Sequence, residues 1–134
     1  MWRSEVPNSL TGEDPQKLTL LGSRCQICHN TYFPARRNCP GCLNRDTIDR
    51  IVLSKQGQLH SFSISQVAPP GYESPHIQGY IELEQGGPCI FSLLVDCGSP
   101  PELKIGQKMH LILVESGRDE SGRVVIGYRF KPDD

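Results

Sequence analysis

Two Cys-x-x-Cys pairs constrain this chain more than any other feature. Cys25-Gln26-Ile27-Cys28 and Cys39-Pro40-Gly41-Cys42 are separated by ten residues. A two-residue spacer lets the backbone turn tightly enough for both sulfurs of a pair to reach one ion at ~2.3 Å. Pro40-Gly41 suits such a turn, because proline fixes φ and glycine tolerates positive φ. Two knuckles of this kind fit a tetrahedral zinc site with Cys25, Cys28, Cys39 and Cys42 as metal ligands. A disulfide framework would need an oxidising compartment, and Met1-Trp2-Arg3-Ser4-Glu5-Val6-Pro7 lacks the apolar stretch of a secretory signal. A thioredoxin-like redox centre would want one pair beside a βαβ unit. Iron held by the same sulfurs would be visible as colour. Four protein ligands leave no coordination position for activated water, so the predicted Zn2+ is structural.

Charge around such an ion matters. Four thiolates on Zn2+ leave a formal charge of about −2, which nearby cations can offset. Arg24, Arg36 and Arg37 are close in sequence and suit that task. The alternative for Arg36 and Arg37 is contact with phosphate, whose oxygens match the guanidinium fork. His29 directly follows Cys28 and reads as a turn residue, since four thiolates suffice.

The chain has 134 residues, enough for one domain or one domain plus a small module. No run approaches the ~18 apolar residues of a membrane span, so a cytoplasmic protein without a membrane partner is predicted. The formal net charge is −1, which gives no global field to attract nucleic acid. Charge is nonetheless segregated. Residues 24–50 hold five basic side chains against two acidic ones, whereas residues 73–102 hold five acids and no Lys or Arg. Opposite balances in adjacent stretches point to two parts with different electrostatic roles.

Beyond the knuckles the pattern is β. Ile77, Gly79, Ile81 and Leu83 alternate with Gln78, Tyr80, Glu82 and Glu84, as in a half-buried strand. Phe62 and Ile64 are predicted on a core face, with Ser61, Ser63 and Ser65 opposite. Residues 89–97 read as one strand whose odd positions, Cys89 and Cys97 included, lie on the apolar side; its length excludes a disulfide between them. Further alternating runs cover 109–114 and 124–130, and turn clusters rich in Gly and Pro separate the runs. Five to six strands with almost no helical periodicity predict a small barrel, best a five-stranded OB-fold. An SH3-like barrel is the near alternative. Residues 1–17 show no strong period and read as a loose arm or short helix. The expected organisation is an arm at 1–17, a zinc ribbon at 18–47 and a barrel at 48–134.

A family resemblance emerges from these segments together. The stretch from Leu20-Leu21-Gly22-Ser23-Arg24-Cys25 through Phe33-Pro34-Ala35-Arg36-Arg37-Asn38-Cys39 resembles a rubredoxin-like zinc ribbon. Gly57-Gln58-Leu59-His60-Ser61-Phe62-Ser63 and Ala68-Pro69-Pro70-Gly71-Tyr72 are similar to the opening of the OB-fold joined to it. Gly79-Tyr80-Ile81-Glu82-Leu83, Leu103-Lys104-Ile105-Gly106-Gln107-Lys108-Met109 and Tyr128-Arg129-Phe130 follow in the same order. The resemblance is to the zinc-ribbon/OB-fold family known as domain of unknown function 35, over roughly residues 18–131. It implies a non-catalytic accessory subunit of a thiolase-fold acyl-CoA enzyme, placed near the partner's acyl-CoA entrance and aiding CoA binding or bridging two active sites. Members of one type accompany the thiolase that cleaves 2-benzoylsuccinyl-CoA.

The residues fit that implication in limited ways. No GxSxG, HExxH or phosphate-cradling Gly-Lys loop is present. The 68–76 loop is stiffened by its prolines, and stiff loops lose less entropy on docking. Pro69, Pro70, Gly71, Tyr72 and His76 are therefore partner-contact candidates, and Arg36 and Arg37 are candidates for CoA phosphate. The competing class is a single-stranded nucleic-acid module, since zinc ribbons and OB-folds both serve that role. Against it stand the acidic 73–102 stretch and the lack of a basic, aromatic groove.

Overall fold

A strict two-residue alternation needs a sheet with one covered face, and the computed structural model of the chain supplies it. The structure describes residues 2–37, 39, 48–68, 70–71, 76–84, 87–98 and 101–133. Ten strands and no helix occur among them: β1 (Trp2–Ser4), β2 (Leu10–Thr11), β3 (Thr19–Cys25), β4 (Thr31–Tyr32), β5 (Ile48–Val52), β6 (Gln56–Ser65), β7 (His76–Leu83), β8 (Cys89–Leu93), β9 (Lys108–Arg118) and β10 (Val124–Pro132). Among the described residues no helix is long and apolar enough to cross a membrane. The chain divides into two compact units, residues 1–55 with 113–127, and residues 56–112 with 128–134.

The second unit carries the OB-fold. β6 pairs antiparallel with β7 and with β9, and β7 pairs with β8. A parallel bridge between Leu94 and Phe130 joins the end of β8 to β10. Leu94 N–H also donates to Ile77 O (2.9 Å) and Val95 N–H to Phe130 O (3.1 Å). These links bring the end of β8 to β10 and close the sheet at that point, as in a small barrel. Leu59, Ile81, Ile90, Met109 and Phe130 fill the interior, each at most 2% exposed. Gly57 and Gly79 are required by close approach of backbone. A Cβ on Gly57 would lie 2.5 Å from Glu82 O, and one on Gly79 would lie 2.6 Å from Ser61 O. Gly57→Ala should therefore lower stability by about 1–3 kcal/mol through overpacking. Chemical denaturation of the variant against the parent checks this.

The alternation predicted for β7 is observed: Ile77, Gly79, Ile81 and Leu83 are buried. Two predictions for its neighbours need correction. In β6, Gly57 and Leu59 face the core, but a bulge between Leu59 and Ser61 shifts the phase. Phe62 and Ile64 do lie opposite Gly79 and Ile77 on the core side. Phe62 is nevertheless only half-buried and Ile64 is 38% exposed, because this end of the inner face lines an open cleft with residues 101–107. In β8 the even positions are inward: Ile90, Ser92 and Leu94 are buried, while Cys89 and Phe91 are exposed. The strand stops at Leu93, and Asp96 takes φ 53°. Cys89 and Cys97 therefore do not share one continuous strand.

The first unit is built on β3. β2 and β4 pair with it, and β5 pairs along Leu21–Cys25. Leu18, Leu20 and Leu21 are buried here, as is Leu53 just beyond β5. The N-terminal residues are not a loose arm or a short helix. β1 runs parallel to β10 with Trp2 opposite Val124, and Leu10 and Ser9 are buried. Glu5 N–H continues the ladder to Ile126 O at 2.8 Å.

Asp119 holds β1 in place. Its Oδ2 accepts from Arg3 Nε (3.0 Å) and Arg123 Nε (3.1 Å), and its Oδ1 accepts from the Ser121 and Arg123 amides. Desolvation pushes the Asp119 carboxyl upward. The Arg123 amide and guanidinium, the Ser121 amide and Arg3 outweigh it, leaving the carboxyl below the usual carboxylate range. A depressed native pKa means stability that is present above the unfolded pKa and lost as pH falls through the native one. Asp119→Asn should thus speed hydrogen exchange of the β1 amides at neutral pH. The difference from the parent should vanish in acid.

Candidate metal centre

Cys25 is the last residue of β3, and its position follows from that strand's register: it sits opposite Ile48 of β5. The chain then turns sharply. His29 N–H donates to Cys25 O (2.9 Å), and Cys25 N–H donates to Asn30 O (3.1 Å). His29 adopts φ 60°, a left-handed conformation that closes the knuckle and leaves its side chain exposed. It is a turn residue, as the sequence predicts. The turn brings Cys28 back toward Cys25, and the return limb through β4 delivers Cys39.

The sulfurs of Cys25, Cys28 and Cys39 all lie within 4.8 Å of one another. Cys28 Sγ and Cys39 Sγ are 3.3 Å apart. Cys25 and Cys39 are fully buried and Cys28 is half-buried. Sulfurs bound to a tetrahedral ion at ~2.3 Å would be roughly 3.8 Å apart, a separation of the same order as those in this cluster. The cluster could hold a metal ion. Cys42 and the Pro40-Gly41 turn lie outside the described residues.

The electrostatics of the cluster suit a cation. At Cys28 the Asn30 amide favours the thiolate. The Cys39 sulfur, desolvation and Cys25 oppose it more strongly, so the thiol's pKa is raised. Crowded sulfurs resist ionising together unless a positive ion compensates them. Tyr32, on β4, had no assigned role in the sequence reading. Its hydroxyl lies 3.6 Å from Cys39 Sγ, and this contact is the first cause of a raised phenol pKa. The guanidinium of Arg36 sits over the Tyr32 ring, 5.8 Å from its centroid. Ser23, fully buried, accepts the Arg36 amide on Oγ at 3.0 Å, which ties the return limb to β3. Tyr32 was missed because a lone tyrosine beside Phe33-Pro34 carries no spacing signal.

The remaining candidate residues are placed as follows. Arg36 and Arg37 are exposed, consecutive in the limb between β4 and Cys39. Pro70 and Gly71 are exposed, with Gly71 at φ 88°. His76 opens β7 opposite Ser65 and is half-buried. Pro69 and Tyr72 lie outside the described residues.

Comparison with known proteins adds a second line. The family model for the ChsH2 C-terminal OB-fold domain matches residues 51–114. A DUF35 domain-containing scaffold protein of Methanocaldococcus jannaschii is 34% identical over 120 residues, covering 87% of this chain and 84% of that protein. The benzoylsuccinyl-CoA thiolase subunit BbsA of Thauera aromatica is 30% identical over 112 residues, covering 84% of this chain and 75% of that subunit. Among solved structures, the Ltp2-ChsH2(DUF35) aldolase aligns with a TM-score of 0.65 at 25% identity, over 85% of this chain and 84% of that one. A DUF35 protein of Sulfolobus solfataricus shares the fold, with a TM-score of 0.51 at 17% identity over 86% of this chain and 76% of that one.

Proposed function

The chain belongs to the DUF35 family, and on that premise we propose that it is a scaffold subunit of a thiolase-fold acyl-CoA enzyme. Carbon–carbon bond formation or cleavage on a 3-oxoacyl-CoA would belong to the partner. The observation that carries the reading is the likeness to BbsA, itself a thiolase subunit, over most of both chains. The build of the sulfur cluster supports it. Its buried thiols sit at the end of a strand, where an ion would tie β3 to the return limb. Cys25, Cys28, Cys39 and Cys42 hold Zn2+ in this reading. The ion supplies folding free energy and fixes the knuckle, with no open position for chemistry.

Arg36 serves two ends in this proposal. Stacked on Tyr32 beside Cys39, it offsets the thiolate charge. Together with Arg37 it presents guanidinium groups to solvent, where they suit the phosphates of CoA held by the partner. The 68–76 loop, with Pro69, Pro70, Gly71, Tyr72 and His76, is assigned to partner contact. A single-stranded nucleic-acid module is disfavoured because β6, β7 and β8 contain no Lys or Arg at all.

Co-expression with the thiolase-fold protein of the same source tests the proposal. Co-elution of the two as a hetero-oligomer, with thiolase activity higher than that of the partner alone, is the expected result. Separate elution with a fully active partner would overturn it. A salt-sensitive mobility shift with oligonucleotides would favour the nucleic-acid reading instead.

A further inference from the structure

The outward face of the OB sheet carries an aromatic pair that the fold does not use. Tyr80 on β7 and Phe91 on β8 are cross-strand neighbours in the ladder. Their rings meet edge to face, with centroids 5.8 Å apart at 72°. Tyr80 is 48% exposed and Phe91 is 43% exposed, although cross-strand aromatics of this size normally contribute by being covered. A recess of about 220 Å³ opens beside them, lined also by Ser61, Ser63 and Gln78. Every one of these polar side chains has an oxygen that can accept from an N–H donor. One pleat further along β7, Glu82 projects from the same face, opposite Cys89, with its carboxylate largely exposed.

On β6, β7 and β8 the formal charge of this face is acidic, while Lys108 of β9 stands in the same cross-strand row as Glu82, beyond Gln58. None of the residues of β6, β7 and β8 is Lys or Arg, and Glu84 follows directly after β7. Glu82 lies 4.0 Å from His60 Nδ1 on β6. Aromatic rings, hydroxyl and amide oxygens and a carboxylate form the complement of a guanidinium: a flat cation that stacks on rings and donates through several N–H groups. Phosphate-bearing occupants are repelled by the same carboxylates.

We propose that the Tyr80–Phe91 face is a docking surface for an arginine-bearing patch of a partner protein, with the guanidinium seated against the two rings and paired with Glu82. The inference gives the partner surface of the scaffold reading a chemistry, and it rests on that reading only for the partner's identity.

Two measurements on the full chain decide it. In the first, ring resonances of Tyr80 and Phe91 are followed by NMR while a tri-arginine peptide is added. They are expected to shift in a salt-sensitive, saturable way, with the shift reduced severalfold by Glu82→Gln and by Phe91→Ala. No shift, an equal shift with tri-glutamate, or a larger shift with an oligothymidine or an anionic vesicle would overturn the proposal. In the second, solvent accessibility of the two rings is compared between the free chain and its complex with the co-expressed thiolase-fold protein. Protection supports the docking surface. A stable complex that leaves both rings accessible overturns it while the scaffold reading stands. Tri-arginine binding without any thiolase complex would sink the scaffold reading and leave the surface intact.

Discussion

Cys39→Ser is expected to abolish metal binding and to unfold the knuckle segment. Cys39 is fully buried, and its sulfur touches both Cys28 Sγ and the Tyr32 hydroxyl. Removing it takes away one corner of the cluster on which a bound ion would depend. Structural zinc contributes apparent free energies of ~10–16 kcal/mol in zinc-finger peptides, so most of the local stability of β3, β4 and β5 is at stake. Metal analysis of the purified parent should give one zinc per chain, falling to near zero in the variant. Hydrogen exchange should accelerate in residues 19–32 and 48–52 and much less in β7. Cys89→Ser is the control, because Cys89 is exposed on β8. If the Cys39 variant kept its metal and its protection, the assignment of the cluster as a structural centre would be wrong.

Phe130→Ala is the second large effect. Phe130 is completely buried, and its backbone both bridges Leu94 and accepts from the Val95 amide. Truncation opens a cavity where the barrel closes, and should cost about 3–5 kcal/mol. Phe62→Ala is the informative contrast. The sequence places Phe62 in the core, where it would carry the same penalty. Half-buried at a cleft, it should cost only about 1–2 kcal/mol. Denaturant midpoints of the two variants, compared at equal slope, test the ranking.

The difference between the two phenylalanines shows what the sequence could and could not convey. Strand β7 was legible because its polar and apolar residues alternate without interruption, and both faces behave as written. Strand β6 carries equally clear alternation, but the bulge at His60 adds a residue that no polarity pattern reveals. Strand β8 misleads for another reason. Its residues are apolar on both sides, so the phase is set by pairing: Ile90 meets Ile81, and Ser92 meets Gly79. Ser92 can be buried because its hydroxyl donates to Leu93 O at 2.8 Å. The N-terminal strands were unreadable because runs of two and three residues are shorter than any period.

The candidate site divides along similar lines. Cys25, Cys28 and Cys39 were legible because ligand spacing is a local property of the chain, and the structure brings the three together. The supporting contacts of Tyr32, Ser23 and Arg36 were not, since each depends on a strand register. The Tyr80–Phe91 pair needed the ladder between β7 and β8 before it could be seen as one surface.

The interleaved chain path has a consequence for how such a protein can change. Residues 113–127 return to the first unit before 128–134 complete the second. Neither half is a contiguous cassette. An early stop codon near residue 112 would strip segments from both halves at once, whereas a cut after Lys55 would part the first unit from its own 113–127 segment. Transfer of the sulfur-bearing half to another chain therefore calls for two separate segments, 1–55 and 113–127, to move together.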